Sequence, residues 1–228
     1  DVYGFDLFPE SFVESLPAPS NYLGPERVFG LSSDDPDVEI PALPIYRPVE
    51  DSETWMPTRP KHRKTWTPPE PLPDSLEQAI HAFVLTCAAR RARGQIHAHN
   101  SMLVHVTRYI EVQNTVRDQI DDYVGLLRDR LRDTRGDQAR KALEELEELW
   151  NSDFEPTTAV FPHEDAPRLA WTDVAAEIRH VLQRLQVRAI NGSSRDALEY
   201  YEHRRTGLTV IAIGGDRLSR GLTLEGLS

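Results

Sequence analysis

Near the carboxyl end, Leu208, Thr209, Val210, Ile211, Ala212 and Ile213 form a short run in which both side-chain directions are apolar or small. This pattern predicts a strand buried on both faces, as in a parallel sheet covered by helices. Burying Val210, Ile211 and Ile213 is worth roughly 1.5–3 kcal/mol each, which predicts a central rather than an edge position. Residues 102–106 read as a second short strand, followed by Thr107, Arg108 and Tyr109. Residues 187–190 read as a third, ended by Asn191, Gly192, Ser193 and Ser194.

Between the strands the period changes to three and four. A helix is expected from Asp74, where Asp74-Ser75-Leu76-Glu77 has capping-box spacing, with Ile80, Phe83, Val84 and Cys87 as its apolar face and Gly94 as its stop. Arg90, Arg91 and Arg93 fall in its last turn, where cations favour the helix dipole. Val116, Ile120, Tyr123, Val124, Leu127 and Leu131 mark one amphipathic helix, and Ala139, Ala142, Leu143, Leu146 and Leu149 a second. The break at Thr134-Arg135-Gly136 makes them an antiparallel αα-hairpin over about 110–150. Residues 151–168, with Pro156, Pro162 and Pro167, are expected to be a loop, and 171–185 a further helix through Val174, Ile178, Val181 and Leu182. A helical turn is expected within 196–201. Strand, helices, strand, strand suits a parallel sheet better than a meander. Residues 1–73 are proline-rich and read as an extended segment packed on a core formed by 74–228.

Composition narrows the function. The 228-residue chain has a formal net charge of −11, which argues against broad, charge-driven nucleic-acid binding but allows a local basic groove. A single cysteine, Cys87, excludes an internal disulfide and suits a reducing cytoplasm. No apolar run approaches the ~20 residues of a membrane span, and there is no secretion signal. The first residue is Asp and the last lies just past a motif, so a piece of a longer polypeptide is expected.

Candidate chemistry is concentrated after the carboxyl-terminal strand. Gly214 and Gly215 break it, and Asp216, Arg217, Ser219 and Arg220 follow at once. Strand, glycine pair, polar cluster and helix is an arrangement that aims backbone N–H groups and a hydroxyl at an anion, although a tight turn without a ligand has the same wording. Arg59, Lys61, His62, Arg63 and Lys64 between Trp55 and Trp66 could hold a single strand; a solvated linker is the favoured reading. His97 and His99, with His105 further on, have a weak metal-ligand spacing and no acidic or cysteine partner nearby.

The run Gly214-Gly215-Asp216-Arg217-Leu218-Ser219-Arg220-Gly221-Leu222-Thr223-Leu224 resembles the fifth motif of superfamily-two helicases, built around Ser/Ala-Arg-Gly-Leu-Asp. More narrowly, the chain resembles the Z-one domain, a bacterial family with an endonuclease label that accompanies helicase-like ATPases. Leu7-Phe8-Pro9, residues 16–24 and Ser101-Met102-Leu103-Val104-His105-Val106 carry the resemblance further back. Gly215 stands where the helicase motif usually has Thr, and Thr223 where it has Asp, so the ribose or base contact of that Asp does not transfer.

The resemblance implies an α/β fold: a partial, truncated second RecA-like lobe with flanking helices, the αα-hairpin as an insertion and the proline-rich segment as inter-lobe material. It implies that Gly214, Gly215, Asp216, Ser219, Arg220, Gly221, Thr223, Ser101 and Arg108 face nucleotide or nucleic acid. ATP and magnesium are then expected in the parent protein, on the first ATPase lobe of the same polypeptide. DNA, or RNA, is the expected partner, with defence-complex proteins as further candidates and no membrane. No Gly-x-x-x-x-Gly-Lys-Ser/Thr occurs, so the chain is not expected to hydrolyse ATP alone. No Asp/Glu-x-Lys arrangement supports the endonuclease label. An endonuclease with an unrecognised metal site and a non-catalytic docking module within a phage-defence or restriction-like complex remain as alternatives.

Overall fold

The computed structural model describes residues 24–30, 40–56, 66–132, 136–160, 168–190, 198–215 and 223–228. The chain divides into two compact units, Asp1–Pro48 and Val49–Ser228. In the first, a short helix α1 (Pro25–Phe29) opens with proline in its first turn and stops at Gly30, whose φ is +80°. The ring of Phe29 meets that of Tyr46 edge-on at 5.6 Å. The second unit begins well before Asp74: Trp55, on a single helical turn α2 (Ser52–Trp55), and Leu72 both belong to its core.

That unit is mixed α/β. Three six-residue strands, β1 (Asn100–His105), β2 (Leu185–Ile190) and β3 (Thr209–Gly214), form a parallel sheet in the order β1-β3-β2. The last strand in sequence is thus central, as its pattern predicts, and all six of its residues are buried. Its two faces meet different neighbours. Ile211 and Ile213 enter a large core with helices α3 (Asp74–Ala92), α4 (Ile110–Arg130), α5 (Asp137–Leu149) and α7 (Trp171–Arg184). Val210 and Ala212 enter a small cluster with Ile190, Leu198, Tyr200 and Leu208.

The helix α3 is buried on more than one side, with Phe83, Val84 and Leu85 in succession and then Cys87, Ala88 and Ala89. It ends as expected, Gly94 adopting φ +84° beyond the cap. Its start differs from the expected capping box. Asp74 is already helical and makes no cap; instead Asp51 accepts hydrogen bonds from the backbone N–H of Ser75 at 3.0 Å and from its hydroxyl at 2.5 Å. These bonds, the hydroxyl's first, hold the Asp51 carboxyl below its ordinary pKa.

The hairpin forms, but not as an appendage. Val112, Val116, Ile120, Val124 and Leu127 of α4 are core residues, and Arg128 donates to the carbonyls of Leu182 and Leu185 at the end of α7. The first part of the expected loop, up to Val160, is also helical; residues 161–167 lie outside those described. At Trp150–Phe154 the helix widens into a π turn, closed by the Glu155 N–H on the Trp150 carbonyl, and continues as α6 (Glu155–Val160). Pro156 has no N–H to give and its ring crowds the preceding turn; the wider turn just ahead of it lets the helix run on. The expected helical turn falls in a series of turns from Tyr200 to Thr206, residues 191–197 lying outside those described.

Where α3 faces α4, half-buried His81 bonds through Nε2 to the Tyr123 hydroxyl at 2.9 Å, and that hydroxyl donates to Glu77 at 3.4 Å. Burial holds the His81 imidazole below its ordinary value, with Glu145 opposing and Arg130 reinforcing. Burial likewise lowers His180 and raises Glu77, the Tyr123 bond working against the rise. A depressed histidine favours the fold above the unfolded-state value of 6.5, because below it the unfolded chain takes up a proton that the folded one refuses. Glu77 acts in the opposite sense, nearer 4.5. Stability to urea should therefore fall between about pH 7.5 and pH 5.5. His81→Gln should flatten that slope; an unchanged slope in the variant would remove His81 from the account.

Candidate functional site

All three strands end level: His105 and Ile190 flank Gly214 in the register. The loops that leave β1 and β3 therefore meet at the carboxyl edge of the sheet, where open α/β sheets place their ligands. The Val106 N–H donates to the Gly214 carbonyl at 2.8 Å, which carries the ladder one residue past β1. At Gly215 the two backbones touch. A Cβ there would lie 2.5 Å from the Thr107 carbonyl oxygen and 3.0 Å from the Arg108 Cα, so only glycine fits without displacing main chain. The close approach leaves no room for a threonine, or for any other side chain, at this position.

The β1 loop is fixed from below by Gln113, in the first turn of α4. Its Nε2 donates to the Thr107 carbonyl at 2.8 Å, and its backbone N–H donates to the Tyr109 carbonyl at 3.0 Å. Gln113 is 4% exposed, and its Oε1 is buried with no hydrogen-bond partner among the described residues. Above it, the Tyr109 N–H reaches the Thr107 hydroxyl at 3.3 Å, and the Arg108 guanidinium lies over the Tyr109 ring at 5.4 Å. His105 and Arg108 are exposed on this edge. The residues sequence reading missed are Thr107 and Gln113. The available signal was a glutamine inside the apolar stripe of α4, between Val112 and Val116.

Of the residues expected to form the site, the structure brings together Gly214, Gly215 and Arg108. Asp216, Ser219, Arg220 and Gly221 lie outside the described residues. Ser101 is elsewhere: it is the second residue of β1, at the amino edge, fully buried and paired with Val210. Its hydroxyl bonds to the Tyr200 hydroxyl at 2.7 Å and to the Glu225 carbonyl at 2.8 Å, so its polar capacity is spent on packing. Thr223 is exposed and leads into a tail that lies along the same amino end of β1. There Ser101 N–H donates to the Gly226 carbonyl at 2.9 Å and Ser228 N–H to the Ser101 carbonyl at 3.0 Å. Gly226, at φ +65°, passes so close to the His99 carbonyl that no side chain fits.

The other candidates resolve in the same way. His99 Nδ1 accepts from the Leu208 N–H at 3.0 Å, His105 stands at the far end of β1, and no three His, Cys, Asp or Glu side chains come together as metal ligands among the described residues. The basic cluster at 59–64 lies outside the described residues. Of its flanking aromatics, Trp55 is 6% exposed and donates to Gln119 at 3.0 Å, while Trp66 Nε1 donates to the Trp55 carbonyl at 3.2 Å. The Trp55 ring, buried in the core, offers no face for a base to stack on. No helix among the described residues is long and apolar enough to cross a membrane.

The family model described as the Z1 domain matches residues 75–228, more than half of the chain, and the chain belongs to that family. No curated protein and no solved structure matches it.

Proposed function

We propose that this Z1 domain chain is part of a bacterial helicase-like, nucleic-acid-dependent ATPase of the cytoplasm, contributing much of a second RecA-like lobe. The observation that carries the reading is the contact at the carboxyl edge of the parallel sheet. Gly215, the second residue of the helicase-like run, lies against the Thr107–Arg108 backbone too closely for any side chain. Two loops in such contact move together, which is what a segment tying nucleotide state to a nucleic-acid strand must do. In this reading Ser219 and Arg220 make the contacts that change with nucleotide state, and Arg108 faces the phosphate backbone of DNA. ATP with magnesium is held by the first lobe of the same polypeptide, where phosphoryl transfer takes place.

The test is ATP hydrolysis by the complete parent polypeptide with and without DNA. Stimulation by DNA is expected, and Arg220→Ala should reduce the stimulated rate by about ten-fold or more while leaving the protein folded. A rate indifferent both to DNA and to Arg220 would sink the motor reading. The rival docking role cannot be tested by deleting the helical hairpin, because α4 forms part of the core.

A further inference from the structure

We propose that Gln113 is the positioning residue of the carboxyl-edge loops. It sets the place of the Thr107 carbonyl against which Gly215 rests, and so ties the start of the helicase-like run to helix α4. This assignment rests on the motor reading and deepens it. Two groups converge on that one oxygen. The Gln113 Nε2 donates to it at 2.8 Å, and an added Cβ on Gly215 would lie 2.5 Å from it. The Gln113 backbone N–H donates to the Tyr109 carbonyl at 3.0 Å, so a single residue of α4 holds both ends of Thr107-Arg108-Tyr109. One residue earlier, the Val106 N–H on the Gly214 carbonyl joins the same stretch to β3.

The surroundings of Gln113 point to geometry rather than stability as the reason for an amide here. It stands between Val112 and Val116, both fully buried, where an apolar side chain would pack with no polar atom to desolvate. Its Oε1 is buried with no partner among the described residues, so only the donor half of the amide is used within them. One hydrogen bond gained and one acceptor left dry are terms of the same order and opposite sign, so the amide adds little to the stability of the fold. Methionine is nearly as long and forms helix about as well. What it lacks is a donor for the Thr107 carbonyl. The gain from glutamine therefore lies in where the loop is held, and through it the loop that begins at Gly215.

The test separates holding the loop from holding the fold. In urea, Gln113→Met should unfold at a midpoint close to that of the wild type, while the Val106 and Tyr109 amides exchange their hydrogens about ten-fold faster. In the complete parent polypeptide, the ratio of DNA-stimulated to basal ATP hydrolysis should fall about ten-fold. Gln113→Asn keeps an amide but is one methylene too short for the Thr107 carbonyl, and it should behave as Gln113→Met does. Unchanged amide exchange in Gln113→Met overturns the proposal, as does a stimulation ratio that survives the loosened loop or that Gln113→Asn leaves at the wild-type value. A large fall in the urea midpoint also overturns it, because the amide would then serve the fold. A wild-type parent that ignores DNA sinks the motor reading instead. The two failures are told apart because the loop amides report on Gln113 without ATP or DNA.

Discussion

Replacing Gly215 by alanine should destabilise the fold by about 3 kcal/mol, the upper part of the range for overpacking. The added Cβ would meet Thr107 oxygen at 2.5 Å, Thr107 carbon at 2.9 Å and Arg108 Cα at 3.0 Å. All three are main-chain atoms, so no rotamer change can relieve the clash. Either the β1 loop withdraws, losing the Gln113 bond to the Thr107 carbonyl, or β3 shifts within a ladder that is paired on both sides. Urea denaturation should show a lower midpoint with an unchanged slope. Gly125→Ala is the control of opposite sign. Gly125 lies within α4 with nothing within 4 Å of an added Cβ, and the change should stabilise by up to about 1 kcal/mol. A Gly215→Ala variant as stable as the wild type would mean that the two loops are not held as one surface.

Ile211→Ala should cost about 2–5 kcal/mol, the range for emptying a closed aliphatic site. Ile211 is fully buried at the middle of the central strand, against the large cluster that takes in α3, α4, α5 and α7. Its neighbour Val210 faces the small cluster, where fewer groups surround it and fewer atoms are lost, so Val210→Ala should cost less, about 1–3 kcal/mol. The comparison separates the two faces of one strand. If the order were reversed, the small cluster around Tyr200 and Leu208 would be the side that holds the sheet together.

The sequence made β3 legible because four consecutive apolar residues, Val210 to Ile213, leave neither face polar, as in a strand covered on both sides. The helices were legible through their spacing, and Gly94 through the left-handed conformation that ends α3. What escaped depends on partners distant along the chain. Asp51 caps α3 from 24 residues away, a relation that no local capping pattern contains. Pro156 reads as a break, yet the π turn ahead of it absorbs the lost bond. Ser101 reads as a polar residue at a strand end, and so it is, but at the amino end, satisfied by Tyr200 from 99 positions later. At the site, the glycine pair announced a close approach, whereas what approaches it, Thr107, and what holds that in place, Gln113, became visible only once the loops were assembled.

The burial of Cys87 has a practical consequence. The chain's one thiol is fully buried on α3, and that burial pushes its pKa up to about 12. A thiol so placed does not ionise or meet a reagent until α3 leaves the core. Alkylation at neutral pH therefore times the opening of the molecule itself. With no other cysteine to contribute background, the rate of labelling can rank the Gly215, Ile211 and Val210 variants under native conditions, without denaturant.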